Sequence, residues 1–129
     1  MASVALVDSN VFISLLRSGL DPAAWLGGRF EDIYTCGMVR VEVLRGQKNR
    51  YQRDVLAAFF NILCNIPMDN RLWEEAAELA WQQDRSGRSL PSPDIVIAAC
   101  AIQAGVPVLT DDSHFDFIHG VRVIRFREL

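Results

Sequence analysis

The sequence is poor in lysine and carries no excess of positive charge. Lys48 is its only lysine, and 13 basic residues against 16 acidic residues leave a formal net charge of −3. This balance argues against a binder that relies on a broad basic surface for contact with nucleic acid. It does not argue against an enzyme that gathers carboxylates around a metal ion.

Cysteine pairs and long apolar runs are also missing. Cys36, Cys64 and Cys100 form no CxxC motif and lie among apolar residues, so we expect reduced, buried thiols in a cytoplasmic protein. No apolar run approaches the ~20 residues that span a bilayer. The first apolar stretch lacks a preceding basic region and stops at Asp8, which predicts no signal peptide. The length predicts one domain over residues 1–129.

The motifs of a protein nucleophile or a phosphate-binding glycine loop are absent as well. The sequence contains no G-x-S-x-G, no Walker loop and no cysteine–histidine pairing signal. His114 and His119 lack the helical i,i+4 spacing of paired zinc ligands, so we interpret them as surface or loop residues. Hydrolytic chemistry in this chain would therefore depend on its carboxylates.

The stretch around Asp8 is the most informative part of the sequence. Val4–Val7 is apolar without alternation and leads directly into Asp8. Such a run is typical of a strand buried on both faces of a parallel sheet, and it places the carboxylate at the strand's carboxyl end, where open α/β sheets bind ligands. Ser9 or Asn10 is expected to cap the helix that follows.

The rest of the chain alternates strand-like and helix-like segments. This alternation predicts an α/β fold with three layers, α/β/α, around a central, mostly parallel sheet. Ser92 and Pro93 are expected to be the N-cap and first residue of a late helix. Residues 95–102 of that helix are apolar on every side, which indicates a buried, central helix.

Carboxylates stand at several of the predicted strand and helix ends. Each has an ordinary structural explanation: Asp94 suits a helix first turn, Glu42 a solvated helix face, and Asp111–Asp112 a turn after a strand. Taken together with Asp8, however, they would converge at one edge of a parallel sheet without matching lysines or arginines. Such a cluster is a site for hard cations such as Mg²⁺ or Mn²⁺.

Four short segments in this order resemble the PIN-domain ribonucleases, and in particular the VapC-type toxins of bacterial toxin–antitoxin pairs. The segments are residues 8–11, 41–46, 93–99 and 109–115, and the resemblance covers essentially the whole chain. It implies a PIN-like fold and a Mg²⁺- or Mn²⁺-dependent endoribonuclease. It also implies a small VapB-type antitoxin as partner and the homodimer that is common among PIN toxins.

The resemblance assigns roles by position. The metal ligands and catalytic residues would be Asp8, Glu42, Asp94 and Asp112. Asp112 is preferred to Asp111 because the family pattern is Thr-x-Asp, here beginning at Thr110. Ser9 and Thr110 match small hydroxyl positions beside the site and are candidate substrate contacts. Pro91-Ser92-Pro93 departs from the glycine and acidic residues that many relatives carry before the third acid.

Basic residues near these positions are candidate RNA contacts. Arg45 follows Glu42 by three residues, and Arg88 lies in the loop before Asp94. A cluster between residues 40 and 53 would contact either RNA or antitoxin; its members are Arg40, Arg45, Lys48, Arg50 and Arg53. For each of these, a solvated helix face is an equally good explanation.

Two other functions fit parts of the pattern. A phosphatase of the haloacid dehalogenase type also places an Asp after its first strand, but its general-acid Asp would fall at Asn10, and its phosphate-binding lysine is missing from the expected region. A catalytically inactive PIN fold could serve as a binding module. The complete set of acids argues against that alternative.

Overall fold

A computed structural model describes residues 3–129, which form alternating strands and helices. The strands are β1 (Val4–Val7), β2 (Asp32–Thr35), β3 (Cys64–Asn65), β4 (Val108–Thr110) and β5 (Val123–Arg125). The helices are α1 (Ser9–Arg17), α2 (Pro22–Gly27), α3 (Gly37–Arg45), α4 (Arg50–Ile62), α5 (Asn70–Arg85) and α6 (Ser92–Ala104). Two 3₁₀ segments, Ser113–Phe117 and Phe126–Glu128, follow β4 and β5. Within the described range, no helix has the length and apolarity needed to cross a membrane.

The strands form one sheet in the order β3-β2-β1-β4-β5, and every neighbouring pair is parallel. Leu6 of the central strand β1 is in register with Tyr34 of β2 and with Val108 of β4. Strand order therefore reverses between β1 and β4, and open parallel sheets bind ligands outside the carboxyl ends of strands at such a point. The predicted α/β class with a parallel sheet flanked by helices is confirmed.

The helices beside this switch point are anchored in the core. Phe12 of α1 packs on Phe60 of α4 with ring centroids 5.0 Å apart. Helix α6 is buried along the whole of residues 95–101, as its apolar sequence predicts, and ends at Gly105, whose φ of 70° is readily adopted by glycine. Elements fixed in this way hold the side chains at their ends in defined positions.

Three local predictions were wrong. The N-cap of α1 is Asp8, because its carboxylate accepts the free N–H of Ser9 and the helix begins one residue earlier than expected. The extended residue before α6 is Pro91, so Ser92 is already helical and makes no capping bond. Cys36 and Cys100 are buried, but Cys64 is exposed because it lies on the short edge strand β3.

Candidate functional site

Asp8 lies at the carboxyl end of β1 and is only 3% exposed. Its Oδ1 accepts the backbone N–H of Ser9 at 2.8 Å, and its Oδ2 accepts the hydroxyl of Thr110 at 2.7 Å. Each carboxylate oxygen therefore has a hydrogen-bond donor, which a buried carboxylate requires. The N-terminus of α1 adds a favourable dipole for negative charge.

These donors do not fully offset the burial of Asp8. Burial raises the pKa of its carboxyl from 3.8 to about 6, although the hydrogen bonds from Thr110 and Ser9 act in the opposite direction. The charges of Asp94 and Glu42 raise the pKa further. The ionised form of Asp8 is thus disfavoured, and a cation beside it would stabilise that form.

Ser9 connects Asp8 to Glu42. Its hydroxyl donates to Oε1 of Glu42 at 3.1 Å and lies 3.5 Å from Oδ1 of Asp8. Glu42 is on α3, which packs against α1, so the two helices bring together residues that are 33 positions apart. The sequence could not distinguish this inward placement of Glu42 from a solvated helix face.

Thr110 connects the ends of β1 and β4. Its hydroxyl donates to Asp8 and accepts the N–H of Asp112 at 2.9 Å and the side-chain amide of Asn10 at 3.3 Å. Thr110 is fully buried, so these bonds fix the loop that carries Asp112 relative to the strand that carries Asp8. The small hydroxyl expected beside the site at Thr110 therefore positions two of the acids.

A second group of side chains consists of Asp94, Asp112 and His114. Nδ1 of His114 is 2.7 Å from Oδ2 of Asp94 and 3.3 Å from Oδ1 of Asp112. Asp94 lies in the first turn of α6, and Asp112 caps the 3₁₀ segment by accepting the N–H of His114. Burial raises the pKa of Asp94 despite the His114 contact, and the hydrogen bond to Asp94 raises the pKa of His114.

His114 was not among the residues that the sequence pointed to. The i,i+4 criterion compared the two histidines only with each other. The pattern that would have indicated His114 is its position two residues after Asp112, the acid that follows a strand. The side chain is 43% exposed, so the surface position was correct, but the ring lies against two of the acids. His119 is exposed.

The other candidate residues lie around these acids. Oδ1 of Asp111 accepts the N–H of Arg127 at 3.0 Å and so takes part in a contact with the C-terminal segment. Arg45 is exposed at the end of α3. Arg88 is exposed in the loop before α6, where its guanidinium lies 3.7 Å from the ring centroid of Phe117.

The donor set fits a divalent cation. Asp94, Asp112 and His114 each offer an atom within 4.8 Å of the others, and the charges of Asp94 and Glu42 act on Asp8. The arginine beside them, Arg125, pairs with Asp116 and reaches the backbone oxygen of Asp112 at 3.5 Å. A cluster of carboxylates of this kind is a typical ligand set for Mg²⁺ or Mn²⁺.

Comparison with known protein families identifies a match over most of the chain. A family model described as PIN domain matches residues 5–119. No curated protein sequence gives a significant match.

Several solved toxin–antitoxin structures share the fold. A DNA-bound VapBC structure from Salmonella typhimurium is 18% identical, covers 97% of this chain and 98% of its own, and has a TM-score of 0.79. FitAcB from Neisseria gonorrhoeae is 23% identical, with 98% and 99% covered and a TM-score of 0.73. A toxin–antitoxin complex from Klebsiella pneumoniae is 23% identical, with 93% and 95% covered and a TM-score of 0.72. At these identities the likeness establishes the fold alone.

The raised pKa of Asp8 predicts how stability depends on pH without metal. The folded state binds more protons than the unfolded state between pH 3.8 and about 6, so its stability falls as the pH rises through this window. The shift corresponds to roughly 3 kcal/mol. Urea unfolding in EDTA should show Asp8→Asn gaining up to about this amount relative to wild type between pH 4 and pH 7.

Exposed Asp84 supplies the matched control. Asp84→Asn should differ from wild type by an amount that stays nearly constant over the same pH range. A constant difference for Asp8→Asn as well would contradict the assignment of the buried charge to Asp8.

Proposed function

This chain belongs to the PIN domain family, and from that premise we propose that residues 1–129 form a single PIN domain with metal-dependent endoribonuclease activity. We further propose that it is a VapC-type toxin that acts on cytoplasmic RNA and is neutralised by a VapB-type antitoxin. The observation that carries the proposal is the convergence of acids from β1, α3, α6 and the β4 loop at the sheet's switch point.

We assign the catalytic and metal-binding roles to Asp8, Glu42, Asp94 and Asp112. A Mg²⁺ or Mn²⁺ ion held by these residues would lower the pKa of a bound water and take up charge on the scissile phosphate. Ser9 positions Glu42 against Asp8, and Thr110 fixes Asp8 relative to Asp112. The half-buried hydroxyl of Ser9 can also contact a phosphate. The fully buried hydroxyl of Thr110 already bonds Asp8 and Asp112, so it would act on substrate only through the acids that it positions.

The alternative functions have less support. In a haloacid dehalogenase-type phosphatase the residue at position 10 would be an acid that protonates the leaving group. Here the side-chain N–H of Asn10 donates to Thr110, and an amide is not acidic enough to protonate a leaving group. An inactive binding module would have no need of a buried carboxylate such as Asp8, whose burial, together with the charges of Asp94 and Glu42, raises its pKa to about 6.

Arg88 is the best-supported RNA contact. Its guanidinium stacks on Phe117, whose side chain is 46% exposed, and stacking leaves the in-plane N–H donors available for a phosphate. Phe117 follows His114 by three residues in a 3₁₀ segment, so the two side chains share one side about 6 Å apart along the axis. Arg88 would thus bind RNA near the acids, while Arg45 would extend the contact from the end of α3.

Exposed apolar side chains support protein partners. One group lies on α3 and α4, with Val41, Tyr51, Val55 and Ile62. Others lie on α5 and α6, with Trp73, Trp81 and Ile102, of which Ile102 lines a groove of about 640 Å³ between the two helices. Two such surfaces suit the two partners we propose, an antitoxin and a second copy of the chain.

Purified protein should cleave RNA only with a divalent ion. EDTA should abolish cleavage, Mn²⁺ or Mg²⁺ should restore it, and Asp8→Asn should lower the rate at least about a hundredfold, because several kcal/mol of charge stabilisation are lost. Cleavage of a labelled RNA, with Asp84→Asn as the matched control, measures this. Wild-type activity in Asp8→Asn would refute the site, and growth arrest relieved by a co-expressed antitoxin would test the toxin assignment.

The two adjacent aspartates should differ in importance. Asp112 contacts His114, whereas Asp111 accepts the N–H of Arg127, so Asp112→Asn should reduce cleavage far more than Asp111→Asn. Initial rates under saturating metal compare the two. Equal losses, or a larger loss for Asp111→Asn, would refute the choice of Asp112.

Removing either member of the Arg88–Phe117 stack should weaken RNA binding. Arg88→Ala should raise KM and reduce the slope of log affinity against log salt by about one, as expected for one lost phosphate contact. Phe117→Ala should give a smaller increase in KM because Arg88 loses its support, and Phe117→Tyr should restore it. Arg85, stacked on Trp81 of α5, provides the matched control as Arg85→Ala. Equal effects of Arg85→Ala and Arg88→Ala would contradict a specific contact.

A further inference from the structure

His114 places a nitrogen atom among the oxygen atoms of the acid cluster. Its Nδ1 is 2.7 Å from Oδ2 of Asp94 and 3.3 Å from Oδ1 of Asp112. The backbone fixes this arrangement, because the N–H of His114 donates at 2.9 Å to the same Oδ1 of Asp112. His114 is therefore held in the cluster both by its ring and by its backbone N–H.

These separations match those of neighbouring ligands around one ion. In an octahedral site with ligands about 2.1 Å from the metal, adjacent ligand atoms are about 3 Å apart. The two distances from Nδ1 lie on either side of that value. An ion bound between Nδ1 and Asp94 would replace the hydrogen bond that joins them. The partly exposed ring would then carry its proton on Nε2 while Nδ1 offers a lone pair to the ion.

We propose that His114 is a ligand of the divalent ion at Asp94 and Asp112 and gives the site a preference for Mn²⁺ over Mg²⁺. This inference rests on the proposed function, since it specifies the ion of the same site. Mg²⁺ prefers all-oxygen octahedra and keeps several waters, whereas imidazole is a good ligand for first-row transition ions. One nitrogen in the donor set therefore favours the transition ion.

The same contacts would arise if His114 only neutralised the acids as an internal cation. The two roles predict opposite changes on substitution. If His114 is a ligand, its removal weakens Mn²⁺ binding. If it is a competing cation, its removal exposes Asp94 and Asp112 and strengthens the binding of either ion.

The experiment measures the ion itself rather than cleavage. Pulsed electron paramagnetic resonance of Mn²⁺-loaded wild-type protein should show the modulation of a directly bound imidazole ¹⁴N. His114→Asn replaces the nitrogen with an amide oxygen of similar reach, so the modulation should disappear. Calorimetry should show the ratio of Mn²⁺ to Mg²⁺ affinity falling by at least about tenfold. His119→Asn, which alters the exposed histidine, should leave both readouts unchanged.

The outcomes separate this inference from the proposed function. Wild-type protein that binds Mn²⁺ without nitrogen modulation would overturn the role of His114 alone, as would tighter binding in His114→Asn. Wild-type protein that binds neither ion would overturn both proposals. The wild-type spectrum decides the question even if His114→Asn does not fold, and His114→Gln provides a second variant.

Discussion

The buried carboxylate of Asp8 is the feature on which the rest of the site depends. A charge with 3% exposure is unfavourable unless its oxygens receive donors, and here one donor comes from the start of α1 and the other from the end of β4. Because Thr110 also accepts the N–H of Asp112, the bond that satisfies Asp8 also sets the position of the next acid. The chain thus uses the hydrogen bonding of one carboxylate to place another.

Like charges around Asp8 give the site its chemical character. Asp94 and Glu42 raise the pKa of Asp8, and Asp112 raises that of Asp94. In the absence of a cation this repulsion is relieved by protonation and by the contact between Asp94 and His114. A divalent ion would offset the repulsion in place of protonation and of the His114 contact. Ion binding would then stabilise the folded protein, and we expect the stability of the fold and the activity of the site to depend on the same ion.

Some of the site could be predicted from the sequence because its residues follow directly from local pattern. Val4–Val7 predicted a buried strand, and a strand-end Asp in a parallel sheet lies at the ligand-binding edge. The apolar run of α6 predicted a buried helix, which fixes Asp94 in its first turn. The inward position of Glu42 and the contact made by His114 were not predictable in this way, because each depends on what another element presents to it.

The sequence by itself therefore determined the α/β alternation, the buried strand and helix, and the presence of acids at their ends, since hydrophobic pattern and helix-start chemistry act over a few residues. Only the tertiary structure decided that β1 and β4 are neighbours at a switch point. It also decided that Thr110 bonds Asp8 across 102 positions while holding Asp112, and that His114 faces two acids rather than solvent alone. The physical reason is that burial, hydrogen bonding and charge repulsion at this site act between elements distant in the chain, and their geometry exists only once the sheet has assembled.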